Sequence, residues 1–68
     1  MASVGEEIQV EIKRVRDTVL PFYDELGPVG VYGATRIREE LDAATKALAE
    51  GNVIQVLRSY EALKEITG

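Results

Sequence analysis

The chain has 68 residues, 12 acidic against 8 basic side chains for a net charge of −4, and neither cysteine nor histidine. That length allows one small domain. The missing residue types exclude disulfides, thiolate zinc sites and cysteine or histidine catalysis, so no cofactor is expected.

The first predicted helix runs from Val4 to about Leu26. Ser3 followed by Glu6 has capping-box spacing, and Glu6 and Glu7 fall in the first turn, where the helix dipole favours negative charge. Ile8, Ile12, Val15, Val19, Phe22 and Leu26 step by four and three residues, which gathers them on one face. Pro21 deletes a backbone bond and crowds the carbonyl of Asp17, so a kink is expected there, with the stripe continuing in phase. Lys13, Arg14 and Arg16 are diluted by Glu11 and Asp17 and read as a solvated mixed face.

Gly27-Pro28 ends this helix, and a glycine-rich loop is expected over residues 27–33. The second helix is expected over residues 34–50, with Ala34, Ile37, Leu41, Ala44 and Leu48 inward and Ala43 and Ala47 beside them, small enough for close helix approach. Gly51 suits a left-handed terminal residue and Asn52 an N-cap, with Gln55 three residues on. The third helix then runs from Val53 to about Ile66 on Val53, Val56, Tyr60 and Leu63. So short a turn forces helices two and three into an antiparallel hairpin. The expected fold is therefore all-α: a small three-helix domain, its long Pro-kinked first helix packed on that hairpin and its core completed by oligomerisation.

Two sets of residues are candidates for function. Gly30 and Gly33 precede a helix start, where free N–H groups attract anions, and Arg36 and Arg38 would sit in the first turns against the dipole. A bound phosphate or carboxylate would explain that placement, although Arg36–Glu40 and Arg38–Asp42 pairs would explain it as well. No Gly-Lys-Ser/Thr follows the glycines and no strand precedes them, so the phosphate-loop pattern is absent. The adjacent carboxylate pairs Glu6-Glu7, Asp24-Glu25 and Glu39-Glu40 diverge on a helix and read as solvated faces.

The second set is apolar. Val10, Leu20 and Ile54 miss the stripes; Phe22 and Tyr23 stand at the end of the first; Tyr32 lies in the glycine loop, as a partner anchor or a lid. A first helix of ~35 Å would overhang a hairpin of ~20–25 Å and leave part of its stripe uncovered. These features predict a non-enzymatic interaction module, an adaptor, regulator or inhibitor, that binds a protein and forms homo-oligomers. An oligomeric binder of a small anion or nucleotide at residues 27–33 is the alternative.

Nucleic acid and membrane are not expected as partners. Nonspecific nucleic-acid binding depends on neutralising phosphates, which an acidic chain opposes, and no apolar run approaches the ~20 residues of a bilayer span. Met1-Ala2-Ser3 opens no basic-then-apolar targeting pattern, which makes the cytoplasm the simplest location.

Overall fold

A computed structural model describes residues 3–67; Met1 and Ala2, read above for a targeting signal, lie outside them. Three helical rods pack together, and no strand occurs among the described residues. The first rod comprises α1 (Val4–Arg14), a π-helical turn (Val15–Val19) and α2 (Leu20–Glu25). A short 3-10 helix (Gly27–Gly30) leads into the second rod, α3 (Val31–Glu50), and the third is α4 (Val53–Glu65). No helix among the described residues is long and apolar enough to cross a membrane.

Local chemistry sets most of these boundaries. The Ser3 side chain accepts the Glu6 N–H at 3.3 Å, and the Asn52 side chain accepts the Gln55 N–H at 3.1 Å. Between α3 and α4 the chain closes as a Schellman turn. Gly51 takes φ 68°, its N–H reaching the Leu48 carbonyl, while the Asn52 N–H reaches Ala47. Gly27, with φ 65°, closes the first rod in the same left-handed region.

The rods alternate in direction. Val4 and Gly5 share a cavity wall with Gly51 and Val53, Arg14 donates to the Leu63 carbonyl, and Tyr23 donates to the Thr67 carbonyl. The first and third rods are therefore parallel, with α3 antiparallel to both. Ile8, Val15 and Val19 meet Ile37, Leu41, Ala44 and Ala47, with Val56 and Leu63 closing the core. Ala34 is buried as well, so the small side chains of α3 do sit at the helix contacts.

Four expectations need correction. The interruption ahead of Pro21 is a π turn, in which the Leu20 N–H bonds to Val15 five residues back. One extra residue per turn rotates everything beyond it by ~100° relative to an uninterrupted helix. The stripe therefore passes from Val15 and Val19 to Tyr23, and Phe22 and Leu26 turn outward to 48% and 44% exposure. Leu20, expected on the far side, is half-buried against the core for the same reason.

The second correction is the start of the second helix, which is Val31 rather than residue 34. Third, part of the first stripe is uncovered, but through helix phase and not through an overhanging length: Ile8, Val15 and Val19 are buried, and the exposed members are Phe22 and Leu26. Fourth, Val53 is 62% exposed while Ser59, one turn after Val56, is buried and accepts a hydrogen bond from Gln55 at 3.1 Å.

Candidate interaction surface at the helix corner

The segment that joins the first two rods is built around Tyr23. The π turn aims this side chain inward, where its ring lies over Gly33 and its hydroxyl donates to the Thr67 carbonyl at 3.3 Å. A Cβ on Gly33 would stand 2.7 Å from Cδ1 and Cε1 of the ring, and one on Gly30 would stand 2.1 Å from the Tyr23 carbonyl oxygen. The glycines thus let two rods cross closely. One aromatic side chain ties all three rods together at this end.

Of the four residues proposed for an anion site, Gly33 and Arg36 line a common cavity, which Gly30 and Arg38 do not line. Gly30 is buried beneath the Tyr23 carbonyl, and Gly33 carries the Tyr23 ring. Arg38 reaches across to Asp24, at 2.9 and 3.1 Å from its two carboxylate oxygens, rather than to Asp42. Arg36 lines an open cavity of about 340 Å³ with Tyr23, Tyr32 and Gly33, but Glu65 lines it too. It also borders an adjoining cavity of about 230 Å³, shared with Glu40 and Glu65. Two carboxylates beside one guanidinium weaken its pull on an anion. Because α3 begins at Val31, neither arginine lies in its first turn, and the dipole conflict that motivated the site is gone.

The apolar candidates fare differently. Val10 and Ile54 are 68% and 66% exposed. Tyr32 belongs to the first turn of α3, not to a loop, and stands 76% exposed rather than folding over the bundle as a lid. Phe22 packs edge-on against Tyr23, ring centroids 5.8 Å apart, with much of its own ring outward. Leu20 and Tyr23 belong to the packing of the rod and are half-buried.

Sequence reasoning missed Leu26, Val29 and Val31, all exposed at this corner, and Leu57 on α4. Val29 and Val31 carried a signal, as valines inside a segment otherwise made of turn residues. Leu57 follows Ile54 by three and Val53 by four, which marks a second stripe on α4. Leu26 carried none, since its exposure follows from the π turn.

Elsewhere the charged groups do structural work. Arg14, expected in a solvated face, is half-buried; its Nε donates to Glu11 at 2.7 Å and its Nη2 to the Leu63 carbonyl at 2.9 Å, in the last turn of α4. Lys64 lies 5.2 Å from the centre of the Tyr60 ring. Arg16 donates to Asp17 at 2.9 Å, and this bond holds the Asp17 carboxyl below its ordinary value. Among the described residues, no three carboxylates gather as a metal ion would require. Comparison with protein-family models, with curated proteins and with solved structures finds no match to this chain.

Proposed function

We propose that the chain is a non-enzymatic interaction module that acts by binding protein and associates with copies of itself. The observation that carries this reading is the corner between the first two rods. Phe22, Leu26, Val29, Val31 and Tyr32 leave large apolar area open there, on backbone held by Tyr23. Large apolar side chains left exposed close together in the chain are a feature of protein-contact surfaces. The absence of histidine and cysteine from the sequence agrees with a binding role.

Anion binding draws less support, because the glycines accommodate Tyr23 and Arg38 is paired with Asp24. Sedimentation equilibrium over a wide concentration range tests the self-association directly. A mass that rises with concentration is the expected result; a constant monomer mass removes self-association from the function.

A further inference from the structure

The first rod carries two apolar faces that differ by one residue of register. With the π turn at Val15–Val19, Leu20 and Tyr23 pack against the core while Phe22 and Leu26 are exposed. In an uninterrupted α-helix each residue beyond the turn would stand where its successor now stands, so Phe22 would take the place of Tyr23. Phe22 and Leu26 would then continue the stripe of Ile8, Ile12, Val15 and Val19, and Leu20 and Tyr23 would turn out. Two large side chains gain cover and two lose it, so burial favours neither register strongly. The place itself suits either ring, since Gly33 leaves the room and phenylalanine lacks only the hydroxyl.

The polar ties of α2 to the other rods are weak. Tyr23 reaches the Thr67 carbonyl at 3.3 Å and Asp24 pairs with Arg38, and both contacts are exposed. Within the π turn Arg16, Asp17 and Thr18 face solvent, so its extra residue can be lost without disturbing the core. At the far end Gly27, with φ 65° and open space where a side chain would be, can absorb a rotation of ~100° and an advance of ~1.5 Å. Pro21 sets the balance. Its ring clashes with the Asp17 carbonyl in a continuous helix, and the π turn relieves that clash.

We propose that the first rod is a two-register switch: the π register, with Tyr23 over Gly33, exchanges with a continuous α register, with Phe22 in that place. The exchange withdraws Phe22 from the surface, presents Tyr23 there and frees the Thr67 carbonyl. It changes what one molecule displays between its first two rods, whether or not copies associate. Helix register shifts of this kind fall in the microsecond-to-millisecond range.

The test is backbone relaxation dispersion by NMR on the full chain, on Pro21→Ala and on a Thr18 deletion, with circular dichroism to follow the fold. The wild type should show exchange over residues 19–33 from a second state populated on the order of 1%, at a rate independent of protein concentration. Pro21→Ala should favour the α register by roughly 100-fold, which makes the two states comparable. The ring of Phe22, the only phenylalanine in the chain, should then give Overhauser contacts to the Gly33 Hα. Deleting Thr18 makes the Tyr23 register a continuous helix and should flatten the dispersion. A flat wild-type profile would overturn the inference, and so would a Pro21→Ala variant in which Tyr23 alone stays over Gly33. Exchange that survives the Thr18 deletion, or that scales with concentration, would overturn it by placing the motion outside the register. None of these outcomes bears on self-association, which is decided by sedimentation.

Discussion

The ring of Tyr23 occupies the space above Gly33 where a side chain would begin, its Cδ1 and Cε1 each 2.7 Å from the Cβ that an alanine would place there. This contact turns a glycine-rich segment that resembles a ligand loop into a packing joint. Neither residue explains the other in the sequence, because Tyr23 reaches the joint only through the π turn.

Alanine substitution separates the two glycines at this joint. Gly33→Ala should cost about 1–2 kcal/mol, as overpacking against a side chain that can shift. In a Tyr23→Ala background it should become neutral or stabilising, since alanine is the better helix former by up to ~1 kcal/mol. Gly30→Ala should cost about 3 kcal/mol in either background, because the obstacle is the Tyr23 carbonyl oxygen. Urea unfolding of the three single and two double variants measures the coupling.

Deletion of Thr18 tests the π turn. Without it Val15, Val19 and Tyr23 follow at three and seven residues, the spacing of an ordinary α-helix, so the core side chains keep their positions. The melting temperature should fall by no more than about 8 °C, equivalent to about 1 kcal/mol. Deleting Glu39 from α3 instead rotates every later core residue by ~100° and should abolish cooperative melting. Equal damage from the two deletions would refute the phase argument.

Arg14→Ala should destabilise the fold by about 1.5 kcal/mol, the low end for a hydrogen bond to a charged donor because the side chain is partly solvated. Arg14→Lys should be intermediate, keeping a cation near the end of α4 but losing the planar fork. Amide exchange in the last turn of α4 should quicken in the alanine variant, which tells loss of this contact from general weakening.

The pair of Arg16 and Asp17 gives a pH dependence of known sign. Hydrogen bonding to Arg16, chiefly, lowers the Asp17 carboxyl from its ordinary value of 3.8. The group then contributes stability above that ordinary value and loses it as pH falls through the lowered one. The pair is exposed, so the contribution is small and sensitive to salt. Carboxyl NMR should show Asp17 titrating at lower pH than in Arg16→Gln, with the difference shrinking at high ionic strength.

Short-range chemistry determined the elements: Ser3 and Asn52 as N-caps, Gly27 and Gly51 as left-handed stops, and the four-and-three spacing of Ile37, Leu41 and Ala44. Each of these signals acts within one or two turns, so the sequence carries it in full. The phase of the first rod beyond Val19 lay outside that reach. Pro21 announced an interruption, but whether the chain bends or inserts a π residue depends on which side chain the other two rods can accommodate. The bundle takes Tyr23, which finds Gly33 beneath its ring and Thr67 beyond its hydroxyl, and in doing so turns Phe22 and Leu26 to the surface. The candidate surface was legible in Phe22 and Tyr32 and obscure in Leu26. Exposure there follows from helix phase and close rod crossing, which are properties of the assembled bundle and not of any local run of residues.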